Sequence, residues 1–110
     1  MSRRLCLLIA GMAVFAAAAL PAEAGVKLTV PVARDRASAF AENTCAHDKS
    51  CARSGVRNCR RQSDRVVLCR IYDHRKTEEQ GNFVCTRLIR LSLKLPSHRV
   101  PVTGVSDWSC

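Results

Sequence analysis

Phe83-Val84-Cys85-Thr86-Arg87-Leu88-Ile89-Arg90-Leu91-Ser92-Leu93-Lys94-Leu95 is the most ordered pattern in the chain. With a period of two, Phe83, Cys85, Ile89, Leu91, Leu93 and Leu95 share one face, and Arg87 is its single charge. That pattern predicts a strand with one buried face. Cys85 lies on the buried face, and Cys110 is its mirror image about the Ser97-His98 step. A hairpin there opposes Cys85 to Cys110, Ile89 to Ser106, Leu91 to Gly104, Leu93 to Val102 and Leu95 to Val100. Arg87 then falls opposite Trp108, where a guanidinium on the indole would explain the charge. Ser97-His98 lacks the Asn-Gly chemistry of two-residue turns, whereas Pro96 prefers the second position of a turn. Placing it there shifts the register by two and keeps the same faces together. Pro101 lacks a backbone donor and confines the last strand to a sheet edge.

Upstream, Cys59 and Cys69 mirror each other about Asp64 and predict a second hairpin. Arg65 to Tyr72 is rich in β-branched residues, and the charged segment Asp73 to Asn82 reads as an exposed connection. The expected sheet is a meander of strands at about 54–61, 65–73, 83–95 and 99–110. From Pro31 to Cys45, Ala33, Ala37, Phe40, Ala41 and Thr44 fall on one helical stripe. Pro31 suits a first helical turn, and Val30 before it is pushed toward extended geometry. Cys45 and Cys51 bracket a short polar loop that a local disulfide would close. The fold class expected is α+β: one N-terminal helix packed on a four-stranded antiparallel β-meander, stapled by Cys45–Cys51, Cys59–Cys69 and Cys85–Cys110. In outline it resembles several inhibitor folds, which would imply a protein-binding role.

Residues 1–24 are expected to be a cleaved signal peptide. Ser2-Arg3-Arg4 is a basic start, Leu5 to Leu20 an apolar run, and Ala22-Glu23-Ala24 a small-residue cleavage site. The run of about 16 residues falls short of the roughly 20 that span a bilayer, and no later segment is comparably apolar. Residues 25–110 are then a single small secreted domain without a membrane span. Cleavage removes Cys6 and leaves six cysteines, an even number that suits a disulfide framework in an oxidising compartment. The 110-residue chain carries a formal net charge of +9. Loss of Arg3, Arg4 and Glu23 would leave 16 basic against 8 acidic side chains.

That charge suggests acidic partners without naming one. Arg53, Arg57, Arg60, Arg61, Arg65, Arg70, Arg75 and Lys76 form a candidate patch for a polyanion or acidic surface. Few aromatics interleave with them, so base stacking on nucleic acid is poorly supported. Val66, Leu68, Tyr72, Val84, Leu88 and Val105 face away from the helix in this register and form a candidate interface for a protein partner or a second copy. Gly25 to Val30 folding back across them would be the alternative.

Catalytic candidates are sparse. His47 and His74 could serve a small nuclease as general base and acid, but His47, His74 and His98 all fall in expected loops or turns. A zinc site on Cys45, His47 and Cys51 would need reduced thiols, which secretion disfavours. The reading is therefore a non-catalytic binding module without cofactor or metal, with the nuclease as alternative.

Overall fold

The computed structural model describes residues 25–110; the expected leader lies outside the described residues. One helix, α1 (Val30–Ala46), precedes four strands: β1 (Cys51–Ser63), β2 (Val66–Thr77), β3 (Gly81–Ser92) and β4 (Val102–Gly104). The strands form one antiparallel sheet in the order β1-β2-β3-β4, so the fold is the α+β meander expected. Thr29 caps the helix, its Oγ1 accepting from the Val32 amide, which starts α1 one residue before Pro31.

Ala33, Ala37 and Ala41 are buried on the sheet, and Phe40 packs at their side. Small side chains let the helix sit close over β1 and β2, and it scarcely reaches β3. Beneath it, Val67, Cys69 and Ile71 of β2 and Ile89 and Leu91 of β3 are fully buried. Leu28 joins the same core, with its amide donating to the Asp64 carbonyl. Gly25 to Val30 therefore closes the helix side of the sheet and does not cross the opposite face. Arg61 holds this junction, donating to the Ser63, Asp64 and Leu28 carbonyls.

The strands differ from expectation in length. The connection expected at 73–82 is only Glu78-Glu79-Gln80, because β2 and β3 stay paired as far as Thr77 and Gly81. Gly81 has φ +71°, the left-handed geometry that three-residue hairpin loops place on glycine. The last strand, expected over 99–110, is reduced to Val102–Gly104 plus isolated bridges Lys94 to Arg99 and Thr86 to Ser109. The physical reason is composition: Pro101 and the Val105-Ser106 bend interrupt a continuous ladder.

The register there is the shifted one. Ile89 faces Gly104 and Leu91 faces Val102. The amides of Val105 and Ser106 both bond the Leu88 carbonyl, an irregularity that brings Ser109 opposite Thr86 and lets Cys110 reach Cys85. The Thr86–Ser109 bridge restores the unshifted register at this end, yet the Arg87 guanidinium does not lie on Trp108. Its Nε donates to the Ser106 carbonyl at 2.9 Å, and its guanidinium lies over Gly104, where any Cβ would collide with it. The indole instead meets Arg75, whose Cζ is 5.9 Å from the ring centre.

The disulfides are Cys45–Cys51, Cys59–Cys69 and Cys85–Cys110. Cys59 and Cys69 are direct cross-strand partners. Cys69 has Ile89 on its other side, and Cys85 faces Asp73, so the two cysteines are not neighbours across β2 and β3. β1 is an edge strand with three register shifts, at Cys51/Arg53, Val56/Asn58 and Arg61/Ser63.

Candidate functional site: the outer sheet face

Alternation along β2 sends Val67, Cys69, Ile71 and Asp73 toward the helix and Val66, Leu68, Arg70, Tyr72, His74 and Lys76 to the opposite, outer face. The register assembles that face row by row. Arg60, Leu68 and Arg90 line up across β1, β2 and β3; Asn58, Arg70 and Leu88 form the next row. Gly55, Tyr72 and Thr86 follow, then Arg53, His74 and Val84. The bulge at Val56/Asn58 adds Arg57 to the same face, because a bulge turns two successive residues to one side. Arg57 Cζ lies 5.8 Å from the Tyr72 ring centre. Arg53, Arg57, Arg60, Arg70 and Arg90 thus share one surface with Leu68, Tyr72, Leu88 and Val84, and no row contains a carboxylate.

The candidate basic patch and the candidate apolar interface therefore occupy one surface, which the linear sequence presents as two. Arg90 was missed by sequence reasoning because it sits alone in a hydrophobic strand; its register opposite Leu68 is what recruits it. Leu68 is only 6% exposed although it faces outward, since arginines flank it on both sides and long stems cover apolar neighbours. Val66, Tyr72, Val84 and Leu88 are half-buried, and Val105 is exposed beyond β4. Among the described residues no element covers this face. The helix and Leu28 lie on the other side, and Trp108 packs against the helix-side core.

Tyr72 organises the centre. Its ring lies over Gly55, where a Cβ would stand 2.6 Å from the phenolic oxygen. His74 meets it edge-on, with ring centres 5.5 Å apart and planes at 82°. Arg53 Nη2 lies 3.4 Å from His74 Nε2. A guanidinium only donates, so Nε2 accepts and the ring proton sits on Nδ1.

Three members of the expected basic patch do other work. Arg61 holds the β1–β2 turn, as described above. Arg65 sits in that turn, with its carbonyl accepting from the Leu93 amide. Arg75 points to the helix side, where Nη2 meets Asp73 Oδ2 at 3.0 Å and Nη1 meets Asp48 Oδ2 at 2.8 Å. Asp73 is 3% exposed, and a buried carboxylate needs such a partner. Its hydrogen bond to Asp73 raises the Arg75 pKa above the ordinary guanidinium value despite partial burial. Asp48 is held below the usual carboxylate value, first by hydrogen bonds from the Ser50 side chain and amide and then by Arg75. Neither is free for a ligand.

The histidines occupy three separate places. His47 caps α1, with Nδ1 donating to the Asn43 carbonyl at 2.8 Å. His74 belongs to the outer face. His98 lies in the turn after β3 with φ 60°, and its Nδ1 donates to the Pro96 carbonyl at 2.9 Å. Cys45 and Cys51 are joined to each other and have no thiolate to offer a metal. Among the described residues, no group of three or more His, Cys, Asp or Glu side chains is placed to hold a metal ion.

No protein-family model, curated protein or solved structure matches the chain. No helix among the described residues is long and apolar enough to cross a membrane.

Proposed function

We propose that this chain is a secreted, non-catalytic binding module whose outer sheet face docks an acidic protein surface. The observation that carries the reading is the five-arginine face interleaved with apolar side chains and free of carboxylates. Charge complementarity selects the partner. A second copy would bring the same five guanidinium groups against themselves, and like charges across an interface are costly. A uniform polyanion would neutralise the arginines but leave Val84 and Leu88 against solvent. A protein surface that alternates carboxylates with apolar groups satisfies both kinds of row. Arginine is well suited to this role because its fork accepts carboxylates bidentately and its stem is apolar.

The experiment compares three probes on the full disulfide-bonded chain: an extended peptide of alternating Glu and Leu, polyglutamate of equal charge, and heparin. The alternating peptide is expected to bind tightest, with affinity falling as salt rises. Arg57→Glu combined with Arg70→Glu is expected to abolish that binding while the fold is retained by circular dichroism. Equal binding of all three probes would reduce the face to a nonspecific cation, and undiminished binding by the double variant would remove the face from the function.

A further inference from the structure

At one end of the outer face lies a cavity of about 330 Å³ lined by Ala52, Arg53, His74, Arg75, Lys76 and Asn82. Its walls come from the paired rows Arg53–His74 and Lys76–Asn82, so three strands contribute. The register shift between Cys51 and Arg53 inserts Ala52 beside Arg53, and its short side chain leaves room there. Resting on the proposal that the outer face binds an acidic protein, we infer that this cavity anchors one tetrahedral oxyanion ester on that partner, a phosphate or sulfate monoester.

The donor set is the reason. Arg53 and Lys76 are permanent cations without an ion-pair partner among the described residues. Asn82 supplies an amide, and His74, with Nε2 turned to Arg53, carries its proton on Nδ1. A carboxylate holds its lone pairs in one plane, whereas the three terminal oxygens of a monoester diverge tetrahedrally and reach donors that arrive from three strands. Guanidinium and ammonium groups together suit such an oxyanion. No carboxylate lines the cavity; Glu78 and Glu79 stand in the adjoining β2–β3 loop. Two of the four side chains, Arg53 and His74, are also held in advance. Arg53 leans on His74, His74 stands edge-on to Tyr72, and Tyr72 lies under Arg57.

Isothermal titration of the full disulfide-bonded chain tests this with one acidic peptide in three forms: unmodified, with a phosphoserine, and with a sulfotyrosine. Phenyl phosphate serves as a small probe. At least one esterified peptide is expected to bind about tenfold tighter than the unmodified one, the scale of one further charge-assisted hydrogen bond. Lys76→Gln and Asn82→Ala, both exposed positions, should erase that difference. Arg90→Gln, at the far end of the face, should weaken all three peptides alike. Which ester gains more tells phosphate from sulfate, and either upholds the inference. If all three peptides bind equally and only Arg90→Gln matters, the cavity inference is overturned and the docking face stands. If no peptide binds but phenyl phosphate does, in a manner sensitive to Lys76→Gln, the docking face is overturned and the cavity stands. If the gain survives Lys76→Gln and Asn82→Ala, the ester sits elsewhere and the inference fails.

Discussion

Gly55 and Tyr72 show how one residue without a side chain shapes the outer sheet face. An aromatic ring laid over a cross-strand glycine needs the space a Cβ would fill, and alanine there would push against the Tyr72 phenolic oxygen and two ring carbons within 2.9 Å. Gly55→Ala is expected to destabilise the fold by about 1–3 kcal/mol, the usual cost of an overpacked contact. Urea unfolding would measure it, and loss of the upfield ring-current shifts on Arg57 would report the displaced ring. Asp48 offers a second test. Its folded pKa is depressed, so its contribution is present above the unfolded carboxylate pKa and is lost as pH falls through the folded value. Carboxyl NMR titration should place Asp48 below the ordinary aspartate value, and the Ser50 amide should exchange faster once Asp48 protonates. Titration of Asp48 at or above the ordinary aspartate value would contradict this. Neither feature could be read from sequence: the first needs the register of β1 on β2, and the second needs residues 48 and 75 brought together by folding.

At the scale of elements, the disulfides tie pieces that the sheet alone holds unequally. Cys45–Cys51 fastens the helix end to β1, Cys59–Cys69 rungs the β1–β2 hairpin, and Cys85–Cys110 secures the C-terminal tail. Their sequence separations are 6, 10 and 25 residues. Loop-closure entropy ranks them in that order, from about 2 to about 3.5 kcal/mol. Paired Cys→Ser variants compared by urea unfolding should follow the ranking, with Cys85→Ser/Cys110→Ser the most damaging; a larger loss from Cys45→Ser/Cys51→Ser would contradict it. Elements were legible where composition and period agreed. The alanine stripe of α1 and the alternation of β3 announced their buried faces. The tail after Leu95 was not legible as irregular, because alternating Val100, Val102 and Trp108 mimic a strand that Pro101 and the Val105-Ser106 bend interrupt. The two-residue shift that pairs Leu91 with Val102 is invisible to face-by-face patterning, since both registers bury the same side chains. The turn of the Arg87 guanidinium to the Ser106 carbonyl, away from Trp108, is likewise set by local geometry that pattern does not contain.

For the whole molecule, the division of labour between the two sheet faces matters more than any single residue. One face carries the helix, the alanine contacts and the Asp73–Arg75–Asp48 cluster; the other carries the cationic rows. In sequence these populations are interleaved, so the basic and apolar candidates read as separate sites, and the half-buried Arg75, ion-paired to Asp73, reads as part of the patch. Only alternation combined with register separates them. Knowing that Asp73 is buried identifies Arg75 as its partner; knowing that Leu68 faces Arg60 and Arg90 identifies the surface. The 13-residue edge strand β1 also decides how copies of the chain behave toward one another. A long unpaired edge is a template for endless sheet growth when it is flat and neutral. Three irregularities along its length break the even spacing that an incoming identical strand would need, and Arg53, Arg57, Arg60 and Arg61 repel such a strand before it arrives. Concentrated solutions of the oxidised chain are therefore expected to stay free of fibres, which thioflavin fluorescence would check, so the edge that could have grown without end is built to stay single.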